Sequence, residues 1–227
     1  MQASEQVTLT GDSFTNNSAT ADGGGFATLS TSNILPVAIT ASNFGDNHAA
    51  MKGGGAFADG ISVVTIASSH FTGNQANSEG GGAFLHSNTT AQTVASSLFL
   101  DNEAGVRGGG LVMNGTVNHN ITGSTFVGNS AAQITTTGDS GGGGLLFQEG
   151  AMTIKTSVFT GNTSDEYGGG IYNFDNTNLT LIDTAVVGNV ATFDGGGIHV
   201  WNGSSGVFHE IGSVIADNAA PSDPNIN

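Results

Sequence analysis

The sequence contains no cysteine, and its three Lys and Arg residues stand against 18 Asp and Glu residues, which gives a net charge of −15. Without cysteine, neither a disulfide-stabilised scaffold nor a zinc site with thiolate ligands can form. The shortage of basic residues argues against nucleic acid or an anionic membrane surface as the main partner, because binding to either requires many cationic side chains. We therefore expect no nucleic-acid partner.

Long apolar runs are missing as well. No stretch approaches the roughly 18 consecutive apolar residues of a membrane-spanning helix, so we expect no membrane insertion by this segment. The first four residues, MQAS, do not begin a signal peptide. We expect residues 1–227 to form a single β-helix domain that is a segment of a longer secreted or surface protein.

Glycine, in contrast, is abundant: the chain has 37 glycines, roughly twice the usual share. Residues 71–84, FTGNQANSEGGGAF, resemble a phosphate-binding loop. Such a loop continues into a helix and carries a Lys after its glycines, whereas this one lacks the Lys and leads into an apolar, strand-like run. Because Val, Ile, Leu and Phe return at regular intervals, the glycine content indicates a repetitive all-β protein rather than a phosphate site.

The repeat is an apolar residue three places before an Asn, and it occurs eight times. The pairs are Phe14/Asn17, Phe44/Asn47, Phe71/Asn74, Phe99/Asn102, Phe126/Asn129, Phe159/Asn162, Val186/Asn189 and Ile215/Asn218. Successive Asn residues are 30, 27, 28, 27, 33, 27 and 29 positions apart. In six repeats a glycine triplet begins six residues after the Asn, at Gly23, Gly53, Gly80, Gly108, Gly168 and Gly195. After Asn129 the triplet begins thirteen residues later, which predicts a seven-residue insertion at 133–139.

Each repeat also contains three short apolar runs with alternating polarity, the pattern of half-buried strands. Three strands in about 27 residues without a helix predict a right-handed parallel β-helix with one coil per repeat. We expect seven to eight coils, which at about 4.8 Å per coil form a rod roughly 35 Å long.

Stacked coils place equivalent residues above one another, so each column of the repeat has a structural interpretation. The Asn column predicts an internal ladder of amides that satisfies backbone groups at a corner. The glycine triplets predict a second corner, where positive φ angles or close approach of neighbouring coils exclude a Cβ atom. Open strand edges at the ends favour end-to-end self-association, which Pro221, Asp223 and Pro224 should limit because proline cannot donate to a strand ladder.

The pairing of F-x-x-N with G-G-[AG]-[ILV] resembles the repeats of chlamydial polymorphic outer membrane proteins. It is also similar to other bacterial surface β-helix proteins with coils such as GGGIYN, which stands at residues 168–173. The resemblance covers about residues 7–220, and the last coil departs from it because AAPSDPNIN stands where a glycine triplet is due. Such proteins are secreted or surface-displayed, often as autotransporter passengers, and several act as adhesins. The resemblance therefore implies a non-enzymatic adhesin or structural stalk, with a polysaccharide-active lyase or glycoside hydrolase on the same scaffold as the alternative.

The strand after the glycines carries the predicted binding site. Its second and fourth residues should face solvent, yet the second residues form an apolar stripe. On two adjacent coils these two positions place Tyr172, Phe174, His199 and Trp201 together. Exposed aromatic patches commonly mark contacts with sugars or proteins. We therefore predict that these four residues bind a glycan or a protein partner.

Charged residues stand just before four glycine triplets in alternating sign: Asp22, Lys52, Glu79 and Arg107. Alternation predicts a charge ladder, in which opposite charges on neighbouring coils relieve repulsion. The alternative is an active-site Arg of the kind that pectate lyases use.

Two pairs of ionisable residues on neighbouring coils leave open the possibility of a catalytic or calcium site. Asp59 should lie beside His86, and Glu149 beside Asp175. Carboxylates one coil apart would be near the separation of about 5 Å found in retaining glycosidases. Either pair could thus form a catalytic or calcium site, but no fixed ligand spacing supports a metal, so we expect no cofactor and no metal.

Overall fold

The chain folds as an all-β parallel solenoid of about seven turns. The computed structural model describes residues 6–29, 36–60, 63–132, 140–175, 177–201 and 206–226. Within these ranges no helix is long and apolar enough to cross a membrane. The parallel β-helix prediction is thus confirmed, while its right-handed winding stays a prediction. The insertion at 133–139 lies outside the described residues.

The strands stack into four sheets, numbered in chain order. Sheet 1 contains Val7–Thr10, Val37–Thr40, Val64–Ala67, Thr93–Ala95, Asn118–Thr122, Ala151–Lys155, Asn178–Ile182 and Phe208–Ile211. Sheet 2 contains Ser13–Thr15, Asn43–Gly45, His70–Thr72, Leu98–Leu100, Thr125–Val127, Val158–Thr160, Ala185–Val187 and Val214–Ala216. Sheet 3 contains Ser18–Ala19, His48–Ala49, Gln75–Ala76, Glu103–Ala104, Ser130–Ala131, Thr163–Ser164 and Val190–Ala191. Sheet 4 contains Phe26–Leu29, Ala56–Asp59, Ala83–His86, Leu111–Asn114, Leu145–Gln148, Ile171–Phe174 and Ile198–Val200.

Each full coil therefore has four strands, and the prediction of three strands per coil is wrong. The strand of each coil that the sequence did not predict belongs to sheet 3, in which Gln75 pairs with Glu103 and Ala76 with Ala104. Its strands have two residues each, so polar and apolar residues cannot alternate visibly within them. We number the coils 1 to 8 by their sheet-1 strands.

Coil 8 is partial and extends sheets 3 and 4 only through single bridges, such as Ile198 to Ile226. Pro224 lies where the other coils have glycines, and its carbonyl oxygen accepts a hydrogen bond of 2.8 Å from the Gly197 N–H. In earlier coils the glycine N–H groups donate to the following coil, as Gly81 does to Gly108. Proline has no N–H to donate onward. This geometry is consistent with an edge-blocking role for the tail, while end-to-end self-association stays a prediction.

The lumen of the solenoid is filled by stacked apolar columns. The rings of Phe14, Phe44, Phe71, Phe99, Phe126 and Phe159 stack with centroid separations of 4.5–5.0 Å. The register holds across the 33-residue repeat, where Phe126 pairs with Phe159. The insertion therefore leaves the stack of aromatic side chains unchanged.

The predicted Asn ladder is present at the corner between sheets 2 and 3. The Asn102 Nδ2 group donates to Asn129 Oδ1 and to the Phe71 carbonyl oxygen, both at 2.9 Å. Asn102 Oδ1 accepts from the backbone N–H and the side-chain amide of Asn74, at 3.0 and 2.9 Å. One buried side chain thus satisfies polar groups on both neighbouring coils.

A second polar ladder occupies the corner between sheets 1 and 2. Its members lie two residues before the Phe column: Ser42, Ser69, Ser97, Ser124, Ser157, Thr184 and Ser213. The Ser97 hydroxyl accepts from the Ser69 N–H at 3.2 Å and donates to the Ala95 carbonyl oxygen at 2.8 Å. The sequence shows this Ser column, but without the structure it reads as part of a strand.

The glycine corner behaves as predicted. Gly80, the first of its triplet, has a φ of +69°, and a Cβ on Gly81 would overlap the carbonyl oxygens of Glu103 and Gly109. Positive φ angles that the sequence did not reveal also occur at the corner between sheets 1 and 2, three residues before the Phe column. In coil 6 this position is Thr156, with a φ of 47°.

Thr156→Gly should stabilise the protein. An L-residue in the left-handed region costs about 1–2 kcal/mol, and glycine relieves that strain at a smaller cost in unfolded-state entropy. We expect a gain of about 0.5–1 kcal/mol in chemical denaturation. Thr153→Gly, in the middle of the preceding strand, should be destabilising instead, and a loss of stability in both variants would contradict the strain at Thr156.

His119 introduces a titratable group into the core. The side chain is fully buried in sheet 1, its Nδ1 accepts from the Gln92 N–H at 3.2 Å, and its Nε2 donates to the Gly115 carbonyl oxygen at 3.1 Å. Burial lowers the pKa of His119 below its ordinary value of 6.5, against a smaller opposing effect of the Gly115 hydrogen bond. The buried imidazole is therefore neutral at pH 7.

His119→Met should reduce the loss of stability on mild acidification. As the pH falls through about 6.5, the unfolded imidazole binds a proton and the folded one does not, so the free energy of unfolding decreases. Met, the residue at the paired position in coil 6, cannot titrate. Thermal midpoints between pH 7.5 and 5.5 should fall less steeply for the variant than for wild type. His209→Met, on an exposed position of the same sheet, should keep the wild-type slope, and equal slopes in all three proteins would contradict this account.

Candidate functional site

The outer face of sheet 4 has an apolar column that is covered rather than exposed. Its residues are Phe57, Phe84, Val112, Leu146 and Tyr172, and they form a hydrophobic cluster separate from the lumen. The second residue of each strand thus leaves the lumen, as predicted, but the prediction that this column faces solvent is wrong. Long side chains from flanking positions cover it.

The residues just before the glycine triplets supply part of that cover. Lys52 Nζ lies 2.8 Å from a Glu79 carboxylate oxygen and 4.5 Å from the centre of the Phe84 ring. The Arg107 guanidinium lies 3.7 Å from the other Glu79 oxygen and 5.3 Å from the centre of the Phe174 ring. The predicted charge ladder is confirmed at these three residues. Its two cations also pack over aromatic rings, an arrangement that favours cation–π attraction.

The arrangement changes in coil 5, where Gly141 takes the position of the charged residue. A Cβ atom at Gly141 would overlap the Tyr172 ring, so that ring occupies the space that a side chain would fill. Tyr172 is fully buried as a result.

Coils 6 and 7 carry a dense group of rings that we call the aromatic row: Tyr167, Tyr172, Phe174, Phe193, His199 and Trp201. Tyr167 contacts Phe193 edge-on, with centroids 5.4 Å apart, and lies 4.7 Å from the His199 ring. His199 is 6.4 Å from Trp201. The row thus runs across sheet 4 from its glycine corner to its far edge.

Exposure differs sharply along the row. Phe193 and Trp201 are 60% and 42% exposed, whereas His199 is 7% exposed and Tyr172 is fully buried. Phe174 is partly buried. The predicted two-by-two group is therefore assembled, but the expected exposure is wrong for Tyr172 and His199, because flanking side chains cover that column. Their role in binding a partner stays a prediction.

Tyr167 and Phe193 are the two members of the row that the sequence did not assign to the site, and Phe193 is the more exposed of them. It lies four residues after Asn189, in the segment between the Asn corner and the glycine triplet. That segment shows no strand periodicity, so its side chains could not be assigned to a face. The sequence gives one indication: this position holds an aromatic residue in coil 7 and none in the coils where it is Ala21, Met51, Ser78 or Val106.

Asp194 and His199 place a carboxylate and an imidazole beneath the rings. His199 Nδ1 is buried without a hydrogen-bond partner and lies 3.9 Å from Asp194 Oδ2. Burial lowers the pKa of His199, while the Asp194 charge opposes this effect less strongly. At pH 7 the imidazole is neutral, so the Asp194 charge is not cancelled by His199.

The segment of coil 6 that contains Tyr167 and Tyr172 matches a known type of repeat. Residues 156–173 match the family model of the Chlamydia polymorphic membrane protein repeat. This match bears out the resemblance predicted from F-x-x-N and the glycine triplet, and it includes Tyr167 and Tyr172 of the row. No curated protein and no solved structure matches the chain.

The two predicted residue pairs, Asp59 with His86 and Glu149 with Asp175, lie outside residues 156–173, which match the family model. Asp59 and His86 are adjacent, with 2.5 Å between Asp59 Oδ1 and His86 Nδ1, and both side chains are partly exposed. Glu149 and Asp175 follow the paired residues Gln148 and Phe174, so they occupy equivalent turns on neighbouring coils. Among the described residues, no group of three or more His, Asp and Glu side chains could hold a metal ion.

Proposed function

We propose that this chain is a non-enzymatic adhesin or stalk segment of a secreted or surface-displayed bacterial protein. The match to the polymorphic membrane protein repeat supports a location at the outer membrane or cell surface. The solenoid supports a role in which stacked coils hold a contact surface rigidly. The partner is a glycan or a protein.

We place the contact surface at the two exposed members of the aromatic row, Phe193 and Trp201. The observation that carries this proposal is a contrast among the outward-facing rings: Phe57 and Phe84 on sheet 4 are almost completely buried, whereas Phe193 and Trp201, next to its last strand, are exposed. Large exposed rings are expensive to leave in water and are characteristic of binding surfaces. Tyr167 packs edge-on against Phe193, and the His199 ring lies 6.4 Å from Trp201, so inner rings of the row lie beside both exposed rings.

Binding to immobilised glycans and cell-surface proteins tests the proposal. Wild type should bind at least one class of ligand, and Trp201→Ala combined with Phe193→Ala should abolish that binding. Burial of two such rings contributes several kcal/mol, about 2 kcal/mol for each ring, so the loss should exceed a hundredfold in Kd. Because both rings are exposed, the unfolding midpoint of the double variant should stay close to wild type.

Ile211→Ala is the matched control. Ile211 is 57% exposed but lies on sheet 1, away from the row, so this variant should bind like wild type. Equal binding by the double variant and wild type would place the contact surface elsewhere.

The contact between Asp59 and His86 favours the alternative, an enzyme that acts on polysaccharides, because an Asp-oriented His can serve as a general base. Incubation with acidic polysaccharides, followed by the ultraviolet absorbance of unsaturated products and by reducing-end assays, separates the two functions. A non-enzymatic segment gives no product. Turnover that is lost in Asp59→Asn would establish the enzyme instead.

A further inference from the structure

We infer that the aromatic row takes a basic polypeptide segment, with a Lys or Arg side chain laid over the exposed ring of Trp201. This inference rests on the proposed function and specifies the chemistry of its partner. Three features of the molecule carry it: the charge of the surrounding coils, the way the fold covers its other outward-facing rings, and the carboxylate beneath the row.

The charge of the last coils favours a cationic partner. Coils 6 to 8, from residue 151 to the end of the sequence, contain eight carboxylate side chains and one basic side chain, Lys155 on sheet 1. The other two basic side chains, Lys52 and Arg107, lie in coils 2 and 4. A field of one sign attracts a ligand of the opposite sign and repels sulfated or sialylated glycans.

The fold itself shows how this face accommodates cations. Lys52 of coil 2 lies over the Phe84 ring of coil 3, and Arg107 of coil 4 reaches the ring of Phe174, a member of the row. In coils 6 and 7 the equivalent column holds Tyr167 and Asp194, an aromatic ring and an acid. The column that supplies Lys52 and Arg107 in coils 2 and 4 thus supplies a ring and a carboxylate in coils 6 and 7.

Asp194 strengthens the preference for a cation. Its side chain is largely buried beside His199 and accepts a hydrogen bond of 2.8 Å from the Gly195 N–H. His199 Nδ1 is a buried nitrogen with no hydrogen-bond partner. A carboxylate in a poorly solvated position acts over a longer distance than one in water. A cation on the adjacent ring surface therefore gains both π and Coulomb attraction.

Fluorescence anisotropy with a short labelled peptide of alternating Arg and Ser tests the inference. A peptide with citrulline at each Arg position keeps the shape and removes the charge, and a neutral oligosaccharide serves as a competitor. The Arg peptide should bind, the citrulline peptide should bind at least about tenfold more weakly, and salt near 1 M, where the Debye length is about 3 Å, should weaken the Arg peptide similarly.

Trp201→Leu separates the ring contact from general attraction to an acidic protein. This variant keeps every charge and an apolar side chain, so it should weaken the Arg peptide about fivefold through the lost π contact. Ile211→Ala should leave the affinity unchanged. If Trp201→Leu binds the Arg peptide as tightly as wild type, or if the Arg peptide does not bind, the inference is wrong. Trp201-dependent binding of the neutral oligosaccharide alone would also overturn it while leaving the proposed adhesive function intact.

Discussion

Gly81→Ala should destabilise the solenoid severely, although it adds only one methyl group. Gly81 does not have a positive φ, so an Ala side chain is compatible with its backbone conformation, but its Cβ would overlap two carbonyl oxygens, one from the next glycine corner and one from sheet 3. Backbone atoms of neighbouring coils must then move apart, which weakens the backbone hydrogen bonds that join these coils. We expect a loss of about 3 kcal/mol or more, at or beyond the upper end for overpacking.

Gly161→Ala is the matched control for this prediction. Gly161 has a φ of +64°, and no atom lies within 4 Å of the place where a Cβ would stand, so Ala there introduces backbone strain alone. That strain costs about 1–2 kcal/mol. Chemical denaturation should therefore show Gly81→Ala to be clearly less stable than Gly161→Ala. The opposite ranking would mean that the glycine corner is not closely packed.

Asn102→Ala should have the second largest effect. Removal of this side chain leaves the Phe71 carbonyl oxygen and both amide groups of Asn74 without their buried partner. An unsatisfied buried polar group costs about 1–3 kcal/mol, so the total loss should reach about 3 kcal/mol. The thermal unfolding midpoint should drop accordingly.

Asn118→Ala provides the comparison for the ladder. Asn118 is exposed on sheet 1, next to the buried His119. Loss of the Asn118 side chain should change the free energy of unfolding by less than about 0.5 kcal/mol. A similar midpoint for Asn102→Ala and Asn118→Ala would contradict the shared role of the ladder in satisfying two coils at once.

Much of the fold could be predicted from the repeat because stacking converts sequence columns into spatial columns. Residues equivalent to Phe99 and Asn102 occur at the same positions of neighbouring coils. Once one coil is assigned an inward-facing and an outward-facing set of residues, the orientation and contacts of these columns follow. Gly80 likewise predicted a corner with a positive φ angle. These features depend on backbone register, which the repeat specifies directly.

The features that sequence reasoning missed depend on short segments and on contacts between columns. Two residues such as Gln75 and Ala76 are too few to show strand alternation, although they pair on both sides. The burial of Tyr172 depends on a missing side chain at Gly141, a neighbour that differs from coil to coil. Likewise, Phe193 joins the row through a corner whose direction the sequence pattern does not specify.

The central claim is that the two exposed rings of the aromatic row, Phe193 and Trp201, make the solenoid adhesive. Attachment of protein-coated beads to cultured epithelial cells tests this claim most directly. Beads coated with wild type or Ile211→Ala should attach, and beads coated with the Trp201→Ala and Phe193→Ala double variant should not, although its unfolding midpoint is close to wild type. Equal attachment by all three proteins, or attachment by none, would contradict the account.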